Sequence, residues 1–163
     1  MFDRLFPRQI DNTFPGPWPA LWLFVPIMLL ELVIGGNSIV NTRFVVAFVD
    51  AIPIDRYGGG GAQTVVALFA LLGLSRLSIA LLGVVALIRY RAMIPMMYLL
   101  FLGLHLGGRA IGWAHPIVTS GSSGAPAGPG VVTVILALLV IGFALSLFGS
   151  GSSRRAPRGT ASR

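Results

Sequence analysis

The sequence predicts an all-α polytopic membrane protein, with four transmembrane helices in an antiparallel bundle and a short interfacial helix in the first outer loop. Three observations carry this. Apolar residues fill 55% of the 163 positions and charged residues only 10%, against about 25% charged in a soluble domain. Four apolar runs approach or exceed the roughly 20 residues that a helix needs to cross the hydrocarbon. Most of the arginines lie at the ends of those runs or beyond them.

The runs are residues 17–36, 62–88, 92–113 and 131–148, forming one membrane domain over 1–148. The first begins with a proline-rich entry and contains Glu31. Arg4 and Arg8 before it would suit a signal peptide, but the internal acid and the lack of a small-residue cleavage site favour a retained helix. The second is long enough to tilt. Pro26 and Pro95, inside or near the starts of spans, are places for a kink.

Between the first two runs lies TRFVVAFVDAIPID, with Phe44 and Phe48 four apart and Asn41 or Thr42 placed to cap a helix. A short helix ending before Pro53 is expected, then a hinge at Tyr57–Gly61; a short edge strand is the alternative. The second and third runs are joined so tightly around Arg89-Tyr90-Arg91 that they form a helical hairpin. The outer loop TSGSSGAPAGPG reads as flexible, and the tail 149–163, GSSRRAPRGTASR, as disordered and basic.

Arginine placement sets orientation, since cytoplasmic loops carry the excess of cations. Arg4, Arg8, Arg89, Arg91, Arg154, Arg155, Arg158 and Arg163 fall on one side, and only Arg43 and Arg56 on the other. Both termini are therefore expected in the cytoplasm of a bacterial cell, with the chain in its inner membrane. Trp18, Trp22 and Trp113 sit where amphipathic rings anchor at the interfaces.

Several chemistries are excluded. Without cysteine there is no disulfide, thiol catalysis or thiolate metal site. All twelve basic residues are arginine, so no lysine can form a Schiff base or serve a phosphate loop. The +7 net charge follows membrane topology, and no nucleic-acid partner is expected. His105 and His115 share one segment and no carboxylates cluster, so no metal site is expected; no cofactor is specified. No nucleophile constellation appears, which disfavours a stand-alone hydrolase.

Four polar groups lie at membrane depth. Glu31, Arg76 and Arg109 are the charged residues within the runs, joined by His105. Such groups cost roughly 2.5–3.5 kcal/mol each on insertion scales and need partners or water. At 100° per residue, Tyr98, His105 and Arg109 share a face of the third helix with Gly108 and Gly112 beside them. Gly73, Ala80 and Gly83 flank Arg76 on the second. Small residues allow close helix approach, so both faces should point inward. A buried Glu31–Arg76–His105–Arg109 cluster is expected, with Tyr98 on the same face, serving as a ligand-binding site or proton relay. The alternative is an ion pair that only fixes helix register. Gly103…Gly107 and Gly108…Gly112 are GxxxG patterns, expected to pack within the subunit in preference to a homo-oligomer.

The chain resembles the DoxX-like small four-helix bacterial membrane proteins. The likeness rests on size, four spans, Leu30-Glu31 followed by Gly35-Gly36, and the short arginine-bearing hairpin. It covers the layout of most of the chain and implies a quinone-dependent redox or membrane-stress function. The function expected is thus an accessory inner-membrane subunit, quinone- or redox-associated, whose cluster binds a small headgroup or a membrane-protein partner. A small transporter or proton pathway, and a purely structural assembly protein, are the other two readings.

Overall fold

The computed structural model describes residues 5–7, 10–116 and 127–148. The second outer loop through Pro126, the basic tail, Arg4 and Arg8 lie outside the described residues. The fold is all-helical, with no strand among the described residues. Helices α1 (Trp18–Val40), α2 (Gly59–Arg89), α3 (Ile94–Ala114) and α4 (Ala127–Phe148) are long and apolar enough to cross a membrane.

Local chemistry explains where these helices start and stop. α1 begins behind Pro17 with Pro19 in its first turn, where a missing N–H costs nothing. Pro26 lies inside it, and Pro95 sits harmlessly in the first turn of α3. α1 runs four residues past the predicted limit, because Gly36-Asn37-Ser38 carries no φ restriction that would stop it. The expected glycine hinge is not formed. Gly58 caps α2, and Gly59–Gly61 are its first turn, secured by the Ala62 N–H on the Gly58 carbonyl at 3.0 Å and the Thr64 hydroxyl on the Gly60 carbonyl at 2.9 Å. At the other end of α2, Arg91 Nε donates to the Leu87 carbonyl at 3.1 Å, and a 3-10 turn over Arg91–Met93 leads into α3.

The Asn37–Gly61 connection is helical through Val49, as an α turn (Thr42–Phe44) running into a π-helical segment (Val45–Val49). Phe44 and Phe48 do stack, with ring centroids 5.1 Å apart. Neither Asn41 nor Thr42 caps, however. Thr42 Oγ1 donates back to the Ser38 and Ile39 carbonyls, and Asn41 Nδ2 donates to Asn37 Oδ1. The chain bends at Asn41 without leaving helical bonding, as Val45 N–H still reaches the Asn41 carbonyl at 3.0 Å, so no free helix start exists to be capped.

Packing is uneven. α1 packs most extensively against α2 and also contacts α4, which packs on α3; α2 and α3 stay further apart despite their short link. The end carrying the 41–58 connection is here called the upper end. The lower half is a close-packed apolar core, with Phe24, Ile27, Met28, Ile94, Tyr98, Phe101, Ile135 and Leu139 essentially inaccessible. Tyr98 pins it: its hydroxyl donates to the Ala20 carbonyl at 2.7 Å, and its ring meets Phe24 edge-on at 5.0 Å. Gly142 of α4 leaves the space that this ring fills.

The α1–α2 contact depends on glycine. A Cβ on Gly35 would lie 2.9 Å from the Leu77 backbone nitrogen, and one on Gly73 would lie 2.7 Å from the Ser38 Cβ. The seam expected around Gly73, Ala80 and Gly83 is therefore formed, and these three residues are buried. The GxxxG glycines of α3 are not used in this way. Among the described residues, a Cβ on Gly103, Gly107, Gly108 or Gly112 would meet nothing within 4 Å, so these positions make no close helix packing there. Residues of α3 that face α1 and α4 are instead large, including Tyr98, Phe101 and Leu102, and they hold α3 at side-chain distance.

A paired substitution tests the seam. Gly35→Ala should destabilise the folded protein by about 1–3 kcal/mol through overpacking against backbone. Gly36→Ala, which meets nothing within 4 Å, should be neutral or gain up to about 1 kcal/mol in helix stability. Thermal unfolding in detergent followed by helical circular dichroism checks both.

Candidate functional site

Three of the predicted residues meet above the apolar core. Gly35 lies one turn beyond Glu31, and Gly73 one turn before Arg76, so the closest backbone approach falls beside the charged pair. Glu31 has no accessible surface. Its Oε2 accepts from Arg76 Nε at 2.7 Å, and its Oε1 lies 2.7 Å from His105 Nε2. The Arg76 terminal nitrogen Nη2 is 3.2 Å from the same imidazole nitrogen. Glu31, Arg76 and His105 thus tie α1, α2 and α3 together across the gap that the helix backbones leave open.

An oxygen and a nitrogen 2.7 Å apart must hold a proton between them. It rides on His105 Nε2 when the carboxylate is ionised and on Oε1 when it is not. Among the described residues, no buried side-chain nitrogen or oxygen lacks a partner. The ion pair is satisfied on the protein side, and what remains open is Arg76, whose side chain keeps 24% of its surface.

That surface faces two cavities of about 420 Å³ each, within the range of small-molecule sites. One lies towards α3, lined by Asp50, Arg76, His105, Arg109 and Trp113. The other lies towards α1 and α2, between Ile34, Ser38, Phe69, Leu72 and Val49, and again includes Asp50 and Arg76. Val132 of α4 borders both.

Arg109 does not join the cluster. It reaches across to α4, where Nη2 donates to Thr133 Oγ1 at 3.1 Å, and among the described residues it forms no ion pair. Its charge stands in the first cavity. Tyr98 shares the helix face of His105 but lies two turns below, about 10 Å along the axis, and its hydroxyl is bonded to Ala20.

Asp50 joins the site from outside the four spans, where the sequence shows only a charge in an outer loop. Its position is built by the connection. The Asp50 N–H closes the π-helical segment on the Val45 carbonyl at 3.0 Å, and Ala51 then takes a left-handed conformation (φ 52°). Such a backbone costs a non-glycine residue of order 1–2 kcal/mol. The turn is held because the Ile52 N–H bonds the Val46 carbonyl at 2.9 Å, while Val46, Ile52 and Ile54 form a small core against Val65 and Phe69 of α2. One signal does point to it: Asp50 is the one charge in the apolar stretch FVVAFVDAIPI, an expensive place for a carboxylate without a purpose.

No protein family, curated protein or solved structure matches this chain.

Two tests follow from the geometry. Glu31→Ala leaves the Arg76 guanidinium without its counter-charge and should cost about 3 kcal/mol; the double change Glu31→Leu with Arg76→Leu should recover most of it, as read by unfolding in detergent. Burial holds the Asp50 carboxyl above its usual value, outweighing the opposing pull of the Arg76 cation. The folded state then binds the Asp50 proton more tightly than the unfolded chain, so this group's contribution to stability falls as pH rises through and above the ordinary aspartate range. Asp50→Asn should flatten that part of a melting-temperature profile measured from acid to neutral pH.

Proposed function

We propose that this chain is an integral membrane protein of accessory role that holds the polar head of a small amphiphile in its upper half. The observation that carries this is the pairing of a satisfied Glu31–Arg76–His105 triad with open cavities in which Arg76, Arg109 and Asp50 remain available. A group meant only to fix helix register would have no need of that space. The cavity towards α1 and α2 is mostly apolar, as an acyl or isoprenoid tail requires.

Membrane insertion is supported by the inverted surface. Leu29, Val33, Leu71, Leu72, Leu82 and Ile88 are all more than half exposed on helices that carry few charges; water would expel such a surface, and lipid accepts it. In this reading the four helices form an antiparallel bundle in a bacterial inner membrane. Both termini are cytoplasmic by the arginine bias, and the Phe44–Phe48 pair lies at the outer interface. The upper cavities then open at the outer leaflet, and the DoxX-like resemblance with its quinone association belongs to the same proposal. A quinone head would find N–H donors for its carbonyls in Arg76 and Arg109, beside a proton shared by Glu31 and His105.

A conduit through the protein is less well supported. Below the triad, Phe24, Met28, Tyr98 and Phe101 close the interior, and the one titratable side chain among them, Tyr98, is bonded to backbone.

Solvent extraction of protein purified from its native membrane in mild detergent tests the proposal. Mass spectrometry should find one amphiphile near equimolar with protein, and Val132→Trp, which fills the wall common to both cavities, should reduce it at least roughly tenfold, the equivalent of about 1.4 kcal/mol. Absence of any retained amphiphile, or occupancy unchanged by Val132→Trp in a normally folded protein, would overturn it.

A further inference from the structure

The charges around the two cavities point to a particular class of head. Four titratable or charged side chains line them: Asp50, Arg76, His105 and Arg109. Arg76 is balanced by Glu31, to which it gives its Nε–H. His105 is tied to the same carboxylate. Among the described residues, what is left for a visitor is the Arg109 cation, bonded to the neutral Thr133 hydroxyl, the open side of Arg76, and one carboxyl group, Asp50.

Each simpler ligand leaves something unmatched. An anion drawn to Arg109 meets Asp50 in the same cavity. A cation drawn to Asp50 meets Arg109 and the open side of Arg76. A neutral quinone uses the donors but gains nothing from a carboxylate, which offers only lone pairs to its carbonyl oxygens. A head bearing an anionic and an ammonium group, separated by a short linker, satisfies both. Asp50 also borders the apolar cavity between Ile34, Phe69 and Leu72, giving a tail a path away from the charges.

We infer that the upper cavities bind a zwitterionic amine-bearing head of the phosphoethanolamine type, with its phosphate at Arg109 and the open side of Arg76 and its ammonium at Asp50. This rests on the amphiphile-binding function proposed above and names the ligand class for that site. The primary ammonium matters because it can place N–H donors directly on a carboxylate, which a quaternary ammonium cannot do. The same head occurs in a membrane lipid and in a free soluble phosphoamine, and the site's recognition chemistry is common to both.

Native mass spectrometry of the full-length protein in detergent tests the inference with five probes: phosphatidylethanolamine, phosphatidylglycerol and phosphatidylcholine of matched acyl chains, free O-phosphoethanolamine, and decylubiquinone. Phosphatidylethanolamine should bind roughly tenfold tighter than either other lipid, the scale of one charge-assisted hydrogen bond. Asp50→Asn should erase that preference while Asp50→Glu keeps most of it. Arg109→Gln should weaken phosphatidylethanolamine and phosphatidylglycerol alike. O-Phosphoethanolamine competing as well as the lipid upholds the head chemistry and assigns a soluble source; weak competition assigns the lipid. Equal binding of all three lipids, or a preference that survives Asp50→Asn in folded protein, overturns the inference. Binding of decylubiquinone with no zwitterion preference overturns it too, yet leaves the amphiphile-binding function standing. If no probe binds and none is extracted from native protein, both fall.

Discussion

A carboxylate with no contact with solvent sits between a guanidinium and an imidazole, and the upper half of this protein is arranged around that fact. Glu31 is inaccessible, and each of its oxygens has a partner at 2.7 Å. Inserting such a group alone into an apolar interior is expensive, and the cost is offset only where counter-charge and hydrogen bonds are in place together. Glycines at positions 35 and 73 let the first two helices close to backbone contact, which brings Arg76 within reach. The third helix stands further off, and His105 spans the difference. Remove the carboxylate and the three helices lose the common acceptor that fixes their mutual register.

The two halves of the molecule solve different problems. The lower half is filled: aromatic and aliphatic side chains interlock, and the hydroxyl of Tyr98 is absorbed by a backbone carbonyl. The upper half is left open, and the space is bordered by charge. That division follows from residue choice on α3, which carries Met97, Tyr98, Phe101 and Leu102 below and Gly108, Arg109 and Gly112 above. Bulk closes one end and its absence opens the other.

Much of this is legible in the sequence. The four long apolar runs mark the helices, because length and hydropathy are global properties that local packing does not overturn. The Glu31–Arg76–His105 contact is legible too, since charges in such runs have few places to go. Arg109 is not separable from them by wheel position alone; a side chain that long can turn inward to Glu31 or sideways to Thr133, and the neighbouring helix decides. Tyr98 shares the right face at the wrong height. Asp50 escapes because its position depends on a π-helical segment and a left-handed alanine, neither of which has a distinctive periodicity. The α3 glycines mislead for the opposite reason: a small-residue motif permits close approach without requiring it.

The length of α2 has a consequence for where a visitor would be met. Its 31 residues extend about 46 Å, well beyond an oily layer of about 30 Å. In the proposed orientation, with Arg89 at the inner boundary, Arg76 would stand about 20 Å above it, and the first turns of the helix would emerge as a post. The 45–54 segment leans on that helix through Val65 and Phe69, which in the proposed orientation would set Asp50 near the level of the phosphates and glycerol esters. A molecule could then enter sideways from the bilayer, keeping its tail in oil throughout.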